Sequence, residues 1–216
     1  MTALRGSHSL AALSVALAAA VWGSAFPATK YLQDAGLSVG TILSLRFSIG
    51  AVALLALALM FKAPWRKQDL RDGFLAGLVL FALFWLQTDG LRFTTTTKNA
   101  FITGLYVIFT PLLSILLRLR RPSFNSFLGA ALALSGLHLL TNPTGSGGGF
   151  GRGELLTLLC AVAFSGHLLA VDHYTRRFNR PAIAFLQVAI VGALGLAPAL
   201  LIEPMRLVSL SRQSPE

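Results

Sequence analysis

Arg46 lies about seven residues inside an apolar run over residues 39–61, roughly 10 Å along a helix from its end. A cation at a bilayer centre costs about 2.5–3.5 kcal/mol on insertion scales and usually faces the bundle interior. Its chemistry is electrostatic: it attracts a carboxylate or another anionic group of a solute. The other reading is an arginine that snorkels to the interface or holds a helix-end carbonyl, and the sequence leaves both open. A second group is Trp22, Gly23, Phe26 and Pro27. Proline frees the carbonyl four residues earlier, here that of Gly23, and bends the axis. A carbonyl freed at membrane depth faces protein or a watered cavity. The result is a helix bent around a cavity with an aromatic wall, or an ordinary kink relieved by packing; Pro111 and Pro198 allow the same two readings. A third group is Asn99, Thr103, Tyr106 and Thr110, whose spacing places them on one helical stripe. In lipid such a stripe faces inward, to line a solute path or to join helices, and Asn99 and Tyr106 are the candidate polar cavity contacts. Trp85 and Gln87 precede them, with Asp89 spaced to pair with Arg92.

Other polar residues carry less. His167, Asp172 and His173 are five and six residues apart, which turns a helix by about 140° and 240°. They share no face, and no metal site is expected; His167 alone either titrates in transport or is a hydrogen-bonded packing residue. Glu154 suits a first helical turn, where the dipole favours a carboxylate. The single cysteine, Cys160, reads as a packing residue. The glycine-rich stretch 144–153 has neither a Gly-Lys-Ser/Thr nor a G-x-G-x-x-G pattern and reads as a flexible tether. No nucleophile–base pair appears, so neither an enzyme nor a cofactor is expected.

Helices must position these residues. The chain is 55% hydrophobic and 12% charged, against about 25% charged in soluble proteins. Apolar runs fall near 9–31, 39–61, 73–91, 96–117, 124–141, 153–173 and 182–202, each close to the roughly 20 residues that cross a bilayer as a helix. They lack the alternation of barrel strands, so the expected fold is all-α, a polytopic membrane helix bundle in contact with the lipid bilayer. The first run is longer than a signal-peptide core and is read as a retained helix. Eleven basic residues fall in the segments that are cytoplasmic if the N-terminus is inside, and six in the others. That bias predicts a cytoplasmic N-terminus and an external C-terminus. The net charge of +10 is spread over short loops rather than one aromatic-studded face, which argues against nucleic acid as a partner.

Two of these helices are written twice. Placing Trp22 on Phe164 without gaps pairs Ala19 with Ala161, Ala28 with Ala170, Gly50 with Gly192, Ala51 with Ala193 and Leu54 with Leu196. Five spans precede the second copy, so it enters from the opposite side, the inverted repeat of many secondary transporters. The expected organisation is a complete five-helix repeat at 1–141, a Gly-rich linker at 142–152, the first two helices of a second repeat at 153–203 and a polar tail at 204–216. Gly73-x-x-x-Gly77 is a candidate close-packing surface.

Ala20-Val21-Trp22-Gly23-Ser24-Ala25-Phe26-Pro27, Leu45-Arg46-Phe47 and the run from Gly90 to Ile102 with its four threonines, followed by Pro111, resemble the EamA-type members of the drug/metabolite transporter superfamily. The resemblance covers spans one to five well and spans six and seven loosely. It implies ten helices in two inverted repeats, a central cavity for small organic solutes, and a bacterial plasma (inner) membrane. The expectation is therefore a secondary active exporter of amino-acid-like or amphipathic solutes, alternating access between the repeats. The alternative is a truncated, non-transporting membrane fragment or helix-packing module. Trp22, Gly23, Phe26, Arg46, Trp85, Asn99, Tyr106 and Gln187 are the expected substrate contacts. With three helices of the second repeat missing, spans six and seven would lack intramolecular partners. Gln187 would then face lipid, and a homodimer through the incomplete repeat is expected.

Overall fold

The computed structural model describes residues 2–60, 66–119, 150–175 and 180–211, with scattered residues between 124 and 135. Its elements are α1 (Thr2–Asp34), α2 (Val39–Met60), α3 (Lys67–Leu91), α4 (Thr96–Gly104), α5 (Tyr106–Leu116), α6 (Arg152–Thr175) and α7 (Arg180–Ser211). Six stretches among the described residues are long and apolar enough to cross a bilayer, α4 and α5 together forming one of them. The chain is an all-α polytopic membrane bundle, as its composition requires. The expected fifth span, 124–141, and the linker before Phe150 lie largely outside the described residues.

Local chemistry sets the helix ends. α3 begins at Lys67 rather than near residue 73, because its charged first turn is helical: the Asp69 carboxylate accepts the Arg66 N–H at 3.1 Å, satisfying one of the four donors a helix start leaves open. The Thr95 hydroxyl does the same for α4, accepting from the Lys98 N–H at 3.2 Å. The fourth expected span is broken at Leu105, whose N–H reaches Ile102 rather than residue 101. Pro111 then withholds the donor that Val107 would use. α1 and α2 meet in a short turn where Gly36 takes φ +93°, a conformation that favours glycine. α7 continues to Ser211, through most of the stretch expected to be a polar tail; Leu207, Val208 and Leu210 are interleaved there with the polar residues.

The packing follows glycine. α7 lies between α2 and α3, antiparallel to the first and parallel to the second. A Cβ on Gly40 would stand 2.8 Å from the Pro198 ring and 2.9 Å from the Ala199 nitrogen, and one on Gly195 would stand 2.9 Å from the Ser44 nitrogen. Gly73 lies under Leu186 and Gly77 under Ile190, so Gly73-x-x-x-Gly77 is a close-packing surface for α7. Between helices bathed in lipid, backbone approach of this kind replaces the hydrophobic drive of water. The core joins four helices: Leu43 and Phe47 of α2, Leu83 and Phe84 of α3, Cys160 and Phe164 of α6, and Val191 of α7. Large apolar side chains such as Val15, Ile49 and Val52 point outward, as lipid contact allows.

One expectation is overturned. Spans six and seven do have intramolecular partners, α3, α4 and α5 for the first and α2 and α3 for the second, and Gln187 is half-buried rather than turned out to lipid. Its Cα lies 3.1 Å from where a Gly77 Cβ would stand, and its Oε1 is buried without a hydrogen-bond partner. The glycines of α3 open a groove that admits α7 within the same chain, which removes the stated reason for self-association. The helix directions are also fixed. Asn99 meets Thr157 and Tyr106 meets Phe164, so α4–α5 and α6 run the same way.

Candidate functional site

A small cavity lies near the side of the bundle that carries the α1–α2 turn. Its wall is Trp22, Ala25, Phe26 and Thr29 of α1, Arg46 of α2, Gln87, Thr88 and Leu91 of α3, and Asn99 of α4. The space is about 10 Å³, room for about one water molecule. Trp22, Ala25, Phe26 and Thr29 recur at helical spacing, so a single face of α1 supplies one wall.

Arg46 brings the charge. Its guanidinium stands 5.5 Å from the Phe47 ring and 5.4 Å from the Phe84 ring, and those rings meet edge-on at 4.7 Å. Ring faces stabilise a cation by roughly 0.5–2 kcal/mol, more as it is desolvated, yet they do not neutralise it. Arg46 forms no ion pair with any described residue. A cation held against aromatic rings beside a cavity is available to an anionic group.

Asn99 brings an acceptor. It is fully buried, and its amide nitrogen donates to the Gln87 carbonyl at 3.1 Å and to the Thr157 hydroxyl at 2.8 Å. Gln87 in turn donates to the Thr103 hydroxyl at 3.1 Å. The Asn99 Oδ1 is buried with no partner. A buried polar atom left unpaired costs about 1–3 kcal/mol, which a donor arriving in the cavity would recover.

Beyond the wall, Trp22 stacks on Phe164 at 5.7 Å and lies 6.0 Å from Tyr106, whose ring is 4.8 Å from Phe164. This triangle ties α1 to α5 and α6. At the turn side an ionic cluster joins α3, α4 and α6. Asp89 meets Arg92 at 3.4 Å and Arg152 at 3.5 Å. Glu154 accepts from the Thr94 hydroxyl at 2.5 Å and the Gly151 N–H at 3.0 Å, with the Lys98 ammonium at 3.8 Å.

Of the eight residues expected to contact a solute, Trp22, Phe26, Arg46 and Asn99 share the cavity wall. Tyr106 reaches it only through Trp22. Gly23 is exposed, with open space where a side chain would go. Trp85 packs on Phe81 at 5.6 Å, and Gln187 belongs to the α3–α7 packing beside Gly77. Thr29, Thr88 and Thr157 were not foreseen. The spacing of Thr29 from Trp22 and Phe26 could have revealed it, whereas the other two depend on which helices adjoin.

The fold and this wall define a polytopic membrane bundle with a cation and an orphan acceptor beside one interior space. Residues 9–142 match the EamA-like transporter family, and the chain belongs to that family. It is 34% identical over 176 residues to an uncharacterized transporter of Archaeoglobus fulgidus, a match covering 81% of this chain and 53% of that protein. The chain thus spans about half the length of the curated relative it matches. No solved structure matches it.

Proposed function

We propose that the chain is a secondary active exporter of small amino-acid-like or amphipathic solutes, which bind between α1, α2, α3 and α4. The carrying observation is the pairing on one cavity wall of an unneutralised cation, Arg46, with an unpartnered acceptor, Asn99 Oδ1. Trp22 and Phe26 supply an apolar surface for the rest of the solute. Alternating access between two inverted repeats is the proposed mechanism, with the units at 1–141 and 153–203 joined by the linker 142–152. The antiparallel packing of α2 on α7, whose sequences correspond in the repeat, supports it. A space of one water must widen to admit a solute, and movement of α1, which supplies one wall, would widen it. The proposed orientation places the N-terminus in the cytoplasm of a bacterial cell, on the basic-residue bias.

The test is reconstitution in vesicles with uptake read over a panel of zwitterionic, anionic and cationic solutes. Arg46→Ala is expected to reduce transport of carboxylate-bearing solutes by at least about 100-fold, the scale of losing a desolvated charge partner, while inserting normally; Arg46→Lys is expected to retain part of it. Parental transport by both variants would reduce Arg46 to an interfacial anchor.

A further inference from the structure

Thr157 lies on α6, outside the cavity wall, and holds the residue that carries an unpaired acceptor there. Its hydroxyl donates to the Gly153 carbonyl at 2.7 Å, so toward Asn99 it acts as an acceptor. The two N–H groups of Asn99 are then both used, by Thr157 at 2.8 Å and by the Gln87 carbonyl at 3.1 Å. Rotating the amide by half a turn would set Oδ1 against the Gln87 carbonyl, which can only accept, and against a Thr157 hydroxyl whose proton is given to Gly153. The network therefore fixes which atom of Asn99 is left over. The leftover atom is Oδ1, buried and without a partner. Thr157 is fully buried and stands at a close approach of α3 and α6: a Cβ on Gly90 would lie 2.9 Å from its hydroxyl and 3.0 Å from the Gly153 carbonyl.

We propose that Thr157 is the positioning residue for the Asn99 carbonyl oxygen, and that through it the site selects solutes bringing a hydrogen-bond donor beside their anionic group. This rests on the solute site proposed above and adds the basis of its discrimination. An anion without a donor satisfies Arg46 and leaves Oδ1 unpaired; one with an ammonium group satisfies both. The hold also spans two moving parts. Separation of α6 from α3 and α4 withdraws the Thr157 hydroxyl and releases the amide, so the acceptor is oriented only while the turn side of these helices is together.

The experiment titrates the detergent-solubilised full chain with L-leucine and with 4-methylpentanoate, the same skeleton without the amine, following tryptophan fluorescence. The parent is expected to prefer L-leucine by at least about tenfold, the scale of one charge-assisted hydrogen bond. Thr157→Val is expected to bring that preference to within about twofold while 4-methylpentanoate, held by Arg46, binds as before, and Thr157→Ser restores the preference. Thr157→Ala removes the hydroxyl with less bulk and reads the same way. A preference retained in Thr157→Val and Thr157→Ala overturns the role of Thr157 alone, as does a parent that binds both probes equally. Loss of both probes in both variants overturns it too, because the Arg46 contact should survive. A parent that binds neither probe overturns the solute site itself, and this inference with it.

Discussion

Thr103 shows how a single hydroxyl supports the cavity from behind. It is buried and accepts the Gln87 side-chain N–H at 3.1 Å, steadying the residue whose carbonyl holds Asn99. Thr103→Val keeps the shape and strands that donor, at a cost of about 1–3 kcal/mol. A lowered thermal unfolding midpoint in detergent is expected, with Thr103→Ser close to the parent; an unchanged Thr103→Val would show that Gln87 finds another acceptor. At this scale the sequence exposes residues whose type is improbable at their depth. Arg46 and Asn99 stand out in apolar runs, and Trp22 and Phe26 stand out beside a proline. Thr29, Thr88 and Thr157 do not, because threonine can satisfy itself by bonding back along its own helix. Thr157 does so, to Gly153; its further bond to Asn99 arises only when α6 arrives beside α4.

Helices here are recognised through what they lack. The α2–α7 seam runs through Gly40, Gly192 and Gly195 opposite Ser44, Ser48 and Ala199, and any side chain larger than hydrogen at Gly40 meets backbone. Gly40→Ala must push α2 from α7 and is expected to destabilise by roughly 1–3 kcal/mol. Gly104→Ala, with nothing within 4 Å of its Cβ position, is expected to be neutral or to stabilise by up to about 1 kcal/mol through helix propensity. Thermal unfolding of the two variants checks the contrast, and equal midpoints would mean the seam is slack. Hydropathy locates α2 within a residue of its observed ends. It misplaces the start of α3, where charged residues form a helical turn, and it does not register the break at Leu105, which interrupts hydrogen bonding without interrupting the apolar run. That Gly73 and Gly77 serve α7 rather than another helix is a long-range fact, invisible to any local pattern.

The whole molecule has a sidedness that can be tested without transport. Because α3 and α6 are antiparallel with Gly90 against Gly153, residues flanking the α1–α2 turn and the start of α6 lie on one side of the bilayer. In a Cys160→Ser background, single cysteines at Ala35 and Phe150 are expected to react with a membrane-impermeant thiol reagent from the same side, and one at Arg66 from the other. Labelling of Ala35 and Phe150 from opposite sides would undo the topology. The parity of the apolar runs already indicates this sidedness, since it needs only counting; the size and wall of the cavity are beyond such counting, being set by four helices at once. Helix α1 has 33 residues, of which the 23 over Ala12–Asp34 form the apolar span, about 35 Å at 1.5 Å per residue against a hydrocarbon layer of about 30 Å. It is anchored near its end, by the Gly36 turn and by Gln33 donating to the Thr88 carbonyl at 2.6 Å, while residues 12–21 are exposed throughout. A span slightly longer than the layer it crosses, held at its Gly36 end and by the Trp22 ring contacts, relieves the mismatch by leaning. Trp22 and Phe26 lean with it, so the thickness of the surrounding lipid bears directly on how wide the cavity stands.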